Sequence, residues 1–210
     1  MASFSELSLA VEMGKRNDAK QLTQALLSEG HKPLDIVEKG LVPGMGSIGE
    51  KFKNNEVFVP EMLIAARAMK EAMGMLEPLL AQAGIKPKYT VVIGTVQGDL
   101  HDIGKNLVAM MLKGANFGVV DLGVNVTPDK FVAAAKTHSA QLIALSALLT
   151  TTMPSMKVVV EAVRSSGLSS KIMIGGAPVT ADYAREIGAD AYSADAASAV
   201  DTALRLVSAA

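Results

Sequence analysis

Up to about residue 83 the apolar residues recur at helical spacing, and beyond residue 88 they gather into short runs separated by amphipathic segments. The clearest early stripe is Met62, Ala65, Ala66, Met69, Met73 and Leu76, whose separations of three and four put them on one helical face. Pro60 suits the first turn of that helix, and Pro33 the start of an earlier one. Ser3 with Glu6 three residues later predicts a capping box for the first helix, and Asn17 before Asp18 predicts a cap for the second. Gly84-Ile85-Lys86-Pro87-Lys88 then combines a helix-ending glycine with a helix-breaking proline, the composition of a linker.

The second half follows a different period. Apolar runs at about 89–96, 117–122, 141–147 and 171–174, with a weaker one near 190–192, predict strands. Helices are expected between and after them, at roughly 104–115, 128–138, 152–165, 180–187 and 195–208. Thr127-Pro128-Asp129 and Thr180-Ala181-Asp182 read as helix starts. Strand and helix alternating five times imply a parallel sheet covered on both faces. The expected architecture is therefore a four-helix N-terminal domain, residues 1–86, followed by an α/β domain, residues 87–210. The latter should be a flavodoxin-like (Rossmann-like) five-stranded parallel sheet of order 2-1-3-4-5.

Composition narrows the chemistry. With 20 basic and 21 acidic residues in 210, a net charge of −1 and no basic stripe, nothing predicts a nucleic-acid partner. Cysteine is absent, which excludes disulfides, thiolate zinc sites and a cysteine nucleophile, and suits a reducing compartment. Met1-Ala2-Ser3-Phe4-Ser5-Glu6 lacks the charged-then-apolar pattern of a signal peptide. No apolar run approaches the roughly 18 residues of a bilayer span. A cytoplasmic protein without a membrane partner is the expectation.

The candidate chemistry lies in Gly98-Asp99-Leu100-His101-Asp102-Ile103-Gly104, directly after the first strand. In a 2-1-3-4-5 sheet that loop sits at the switch point where open α/β sheets bind ligands. It is not a phosphate-binding P-loop, because five residues rather than four separate its glycines and Asn106 stands where a hydroxyl is needed. A histidine ligand needs its second ring nitrogen held by a carboxylate or carbonyl, and Asp99 is placed to do so. Nothing gathers His31 or His138 to the loop. One histidine with one orienting carboxylate suits a metal whose other positions a macrocycle already fills, although a helix cap or a surface network would use the same residues.

Asp99-Leu100-His101-Asp102-Ile103-Gly104 resembles the D-x-H-x-x-G signature of corrinoid-binding domains that hold the cofactor base-off and His-on. Separated from Gly104 by forty-one residues, Ser146-Ala147-Leu148 resembles that family's S-x-L, and after twenty-six intervening residues Gly175-Gly176 resembles its paired glycines. In the first half, Leu41-Val42-Pro43-Gly44-Met45, Gly49-Glu50-Lys51-Phe52 and Val57-Phe58-Val59-Pro60 are similar to the helical cap of cobalamin-dependent methionine synthase. Together the halves resemble the small corrinoid proteins of anaerobic methyltransferase systems.

The resemblance implies a cofactor, cobalamin or a related corrinoid cycling through methylcobalamin, Co(I) and Co(II) states. It implies His101 as the lower axial cobalt ligand, Asp99 on its other nitrogen, and Thr152 completing the relay. Gly98, Asp102, Ile103 and Gly104 would complete the ligand loop. Ser146, Leu148, Gly175 and Gly176 would line the slot for the displaced nucleotide tail, with Ala196 a further tail contact. Thr150 and Glu38 would face the corrinoid, and Phe52, Val59 and Met62 would shield the methyl group. The implied activity is that of a stand-alone, non-catalytic methyl carrier with three partners. These are a substrate-specific methyltransferase, a second methyltransferase that delivers to coenzyme M or tetrahydrofolate, and a reductive activator. A cobalamin-dependent sensor or the cobalamin subunit of a mutase would share the motifs. The sensor would need an output module, and the mutase would not need an apolar cap.

Overall fold

The structure is a computed structural model and describes residues 1–208. The chain divides into two compact units: Met1–Pro87 with the short segment Lys113–Asn116, and Lys88–Leu112 with the chain from Phe117 onward.

The first unit is helical. In α1 (Phe4–Glu12) the Ser3 hydroxyl accepts the Glu6 amide while the Glu6 carboxylate accepts the Ser3 amide, the reciprocal cap that the spacing predicts. The second expected cap is corrected. α2 (Arg16–Ser28) starts before Asn17, with Lys15 at the cap position and no side-chain hydrogen bond. The chain turns so tightly out of α1 that backbone bonds, Arg16 N–H to the Gly14 carbonyl and Ala19 N–H to the Lys15 carbonyl, already close the first turn. α3 (Pro33–Ile36) continues through a π-helical turn, Val37–Leu41, into α4 (Val42–Lys53). α5 (Val59–Gln82) follows, with Glu61 closing its first turn onto the Phe58 amide. Counting α3 to α4 as one rod gives the four rods expected. In α5 the residues Met62, Ala65, Ala66, Met69 and Leu76 are buried, while Met73 is half-buried at the stripe's edge. No described helix is long and apolar enough to cross a membrane.

The second unit alternates strand and helix: β1 (Thr90–Thr95), α6 (Ile103–Gly114), β2 (Gly118–Asp121), α7 (Pro128–Thr137), β3 (Leu142–Ser146), α8 (Pro154–Ser165), β4 (Lys171–Gly175), α9 (Ala181–Ile187), β5 (Ala191–Tyr192) and α10 (Ala196–Ser208). All pairings are parallel and the order is β2-β1-β3-β4-β5, as the alternation predicts. On one face Val92, Ile143, Ile172 and Ile174 pack with Phe131, Met156, Val159, Val163 and Ile187 from α7, α8 and α9. The opposite row, Val91, Ile93, Leu142, Ala144 and Met173, is also buried, and α10 lies against β3, β4 and β5. Burial on both faces explains why these strands read as continuous apolar runs rather than alternating ones.

Register brings the motifs together. Thr95 pairs with Ser146, and Ser146 with Gly175, so β1, β3 and β4 end in one row. The three motifs, scattered along the chain, thus begin at a common carboxyl edge of the sheet. Packing beneath that edge is tight: a Cβ added at Gly94 would stand 2.8 Å from the Phe131 ring and 3.2 Å from Val126. Gly94→Ala is therefore expected to destabilise the protein by about 1–3 kcal/mol through overpacking, read as a lowered urea midpoint.

Candidate functional site

The site is built around a buried carboxylate. Asp99 is fully buried and follows Gly98, whose φ of 88° turns the chain back over the end of β1. Its Oδ1 accepts hydrogen bonds from the His101 amide at 3.0 Å and from the His101 ring Nδ1 at 2.8 Å. Its Oδ2 accepts from the Leu148 amide at 2.8 Å, the Leu149 amide at 3.3 Å and the Thr152 hydroxyl at 2.6 Å. The Thr152 oxygen also lies 2.9 Å from the Leu149 carbonyl, but it has a single proton and the carboxylate is the closer, charged acceptor. Burial alone pushes the Asp99 carboxyl up. Hydrogen bonds from Thr152, from the His101 and Leu148 amides and from the His101 ring outweigh it and hold the carboxyl well below the usual carboxylate range.

That ionisation state fixes the histidine. An ionised carboxylate only accepts, so Nδ1 of His101 carries the proton and the neutral ring's free lone pair is on Nε2. The ring is half exposed, and among the described residues nothing hydrogen-bonds Nε2. The backbone is fixed as well, because the buried Thr95 hydroxyl donates to the His101 carbonyl at 2.8 Å. Around the imidazole the loops present apolar side chains to the outside: Leu100 is 70% and Ile103 81% exposed, and Leu148 and Leu149 are each more than 40% exposed.

The structure brings Gly98, Asp99, His101, Leu148 and Thr152 into this one cluster. Asp102 accepts from the Asn106 side chain at 2.9 Å at the start of α6, and Gly104 is open to solvent. Ser146 is half-buried at the end of β3, and Thr150 is exposed. Gly176 has a φ of 138°, and a Cβ there would stand 1.9 Å from the Ala147 carbonyl oxygen, so the backbone just after β3 itself demands glycine. A Cβ at Gly175 would stand 3.1 Å from the Ser193 carbonyl oxygen, and Ala196 is buried at the start of α10. In the helical unit Glu38 is exposed within the π-helical turn, Phe52 and Val59 are half-buried, and Met62 is fully buried.

Sequence reading did not single out Thr95, Leu149, Asn125 or Ser193. Asn125 accepts the Gly98 amide at 2.9 Å from a loop far along the chain. Ser193 Oγ is the one buried side-chain N or O atom among the described residues without a hydrogen-bond partner. No local pattern marks these positions, since their partners belong to other elements.

Two family models, each described as a B12 binding domain, match residues 4–77 and 89–203. A corrinoid protein of Desulfitobacterium hafniense (strain Y51) is 37% identical over 99% of this chain and 98% of its own length. The trimethylamine corrinoid protein 1 of Methanosarcina acetivorans is 42% identical over 87% of this chain and 86% of its own. Among solved structures, a cobalamin-binding protein from Desulfitobacterium hafniense DCB-2 superposes with a TM-score of 0.82 at 28% identity, covering 98% of this chain and 99% of that one. A chain of the methanol:cobalamin methyltransferase complex of Methanosarcina barkeri superposes with a TM-score of 0.89 at 29% identity, covering 99% of this chain and 80% of that one.

The residues present fit a corrinoid. Among the described residues no group of three or more His, Cys, Asp or Glu is arranged to hold a bare ion. A lone imidazole with a pinned tautomer instead suits a metal that arrives largely coordinated, and the exposed leucines and isoleucine offer an apolar surface to a macrocycle. The partnerless Ser193 hydroxyl, beside the paired glycines, is a buried polar group of the kind a ligand satisfies.

Removing the Thr152 hydroxyl should expose what the buried charge costs. Thr152→Val is expected to lower apoprotein stability at neutral pH by about 1.5–3 kcal/mol, the range for hydrogen bonds to charged groups, while Thr152→Ser stays near the parent. Because the folded carboxyl is depressed, its contribution is full above the ordinary value of 3.8 and is lost as pH falls below it. Chemical denaturation as a function of pH should show the Val deficit at neutral pH and its shrinkage on acidification.

Proposed function

The chain belongs to the B12-binding family of corrinoid proteins, and from that premise we propose that it is a methyl carrier which binds its corrinoid base-off with His101 as the lower ligand. The observation that carries this reading is the pinned imidazole: Nδ1 held on a buried, ionised Asp99 and Nε2 free toward solvent. In the proposal residues 1–86 are the cap and residues 87–210 the corrinoid-binding module. The names of the relatives, corrinoid proteins for trimethylamine, dimethylamine and monomethylamine, support a methyltransferase setting.

When bound, the corrinoid supplies a cobalt centre able to accept and release a methyl group. The chain's own residues do the rest. His101 would offer the Nε2 lone pair to the metal, and Asp99, by accepting from Nδ1–H, sets the tautomer of the neutral ring that leaves the lone pair on Nε2 and makes it a more basic donor. Thr152 and the amides of Leu148 and Leu149 keep Asp99 ionised. Leu100, Ile103, Leu148 and Leu149 would offer the macrocycle an apolar surface, and Thr150 and Glu38 are assigned contacts to it. Ser146, Gly175, Gly176 and Ala196 are assigned to the nucleotide tail. Phe52, Val59 and Met62 are assigned the shielding of the methyl group, the role apolar side chains serve when a reactive group must be kept from water.

The carrier exchanges methyl groups with separate enzymes. One is a substrate-specific methyltransferase that loads it. Another unloads it to a thiol or folate acceptor, coenzyme M or tetrahydrofolate, and a reductive activator returns oxidised cobalt to service. The protein is assigned to the cytoplasm.

Reconstitution with hydroxocobalamin tests the reading. Stoichiometric binding with a base-off spectrum is expected, whereas a protein that takes up no cobalamin contradicts it. His101→Ala should still bind but lose the histidine nitrogen splitting from its Co(II) paramagnetic resonance spectrum.

A further inference from the structure

The loop that carries His101 is gripped from outside by a second loop, and one residue makes the grip. After β2 the chain runs alongside the end of β1: the Leu122 amide donates to the Ile93 carbonyl at 2.8 Å, the Thr95 amide to the Gly123 carbonyl at 2.9 Å, and the Val126 amide to the Thr95 carbonyl at 3.0 Å. A last parallel bridge joins Val96 to Val126. Asn125 sits between these contacts in the left-handed region, with φ 52°, a conformation that asparagine tolerates and most residues do not. From there its side-chain Oδ1 accepts the Gly98 amide at 2.9 Å and its own amide donates to the Asp99 carbonyl at 3.0 Å.

The base of this second loop is itself anchored. Asp121 Oδ1 accepts the Gly123 amide at 2.9 Å, and both Asp121 oxygens lie 2.6 Å from Nζ of the almost fully buried Lys105. Lys105 belongs to α6, the helix that leaves the His101 loop. The two loops and α6 are therefore one braced unit. Thr95 holds the His101 carbonyl from beneath, and Asn125 holds Gly98 and Asp99 from the side.

We propose that Asn125 is a positioning residue for the corrinoid ligand: by clamping the Gly98–Asp99 backbone it sets where His101 presents Nε2. The proposal rests on the corrinoid reading above and adds a residue that acts through the loop without touching the cofactor's ligand. The side-chain acceptor and the left-handed backbone are separable. Asn125→Gly keeps the backbone conformation at no steric cost and removes only the acceptor, while Asn125→Asp keeps both.

In the apoprotein, Asn125→Gly should speed hydrogen exchange of the Gly98 amide by about tenfold and weaken hydroxocobalamin binding by about three- to tenfold, the range expected for one hydrogen bond. In the reduced Co(II) holoprotein, a second species without histidine nitrogen coupling should appear beside the His-on form. Asn125→Asp should restore affinity to within about twofold of the parent, together with the single His-on signal. An Asn125→Gly protein with unchanged affinity and full nitrogen coupling overturns the positioning role, and so does a loss that Asn125→Asp fails to restore. A lower melting temperature with no change in the His-on fraction also overturns it, since that outcome marks a merely structural clamp. If the parent protein itself takes up no cobalamin, the corrinoid reading fails and this inference fails with it. Normal parent binding beside an indifferent Asn125→Gly condemns the inference alone.

Discussion

A carboxylate removed from water costs several kcal/mol unless its lone pairs are met, and the Asp99 carboxylate is removed completely. Five donors meet it: two from His101, two backbone amides from the loop after β3, and the Thr152 hydroxyl just before α8. That requirement ties two loops together across neighbouring strands, because a shift of either one leaves a buried charge short of donors. It also explains why the ends of β1 and β3 must stand in register, as Thr95 and Ser146 do. The imidazole inherits its tautomer from the same arrangement. One electrostatic constraint thus fixes backbone, ring orientation and the free nitrogen at once.

The parts of this architecture that follow from burial were legible in the sequence. The Met62 to Leu76 stripe and the five apolar runs express which faces avoid water, and periodicity records that directly, while the strand order followed from the fold class that the alternation implies. The Ser3–Glu6 cap was legible because both partners lie within one turn. The expected Asn17 cap failed because the tight turn after α1 had already used backbone groups to start α2. Neither propensity nor spacing announced the π-helical turn at Val37–Leu41.

The site was legible to a different degree. Asp99 and His101 are two residues apart and their pairing follows from local chemistry. Thr152 meets Asp99 from 53 positions away, and only the resemblance pointed to it. Asn125 and Thr95 carried no signal, since an asparagine after a strand and a threonine within one are ordinary in any α/β fold. Their meaning appears only when strand pairing sets the β2–α7 loop beside the β1–α6 loop. The paired glycines were expected for the ligand's sake, yet Gly176 is required by the Ala147 carbonyl whatever is bound. Fold and site share that residue.

Exposed apolar side chains surround the imidazole. Leucine and isoleucine at the mouth of a loop gain nothing in water, and a concentrated group of them marks a surface meant to be covered. The proposed bond from His101 Nε2 to cobalt is read by isotopic substitution without altering the protein. Holoprotein grown with histidine labelled in both ring nitrogens with nitrogen-15, loaded with ordinary cobalamin and reduced to Co(II), should show its axial nitrogen splitting change from triplets to doublets. Triplets that persist would mean the axial nitrogen comes from the cofactor's own base, and would contradict the assignment of His101.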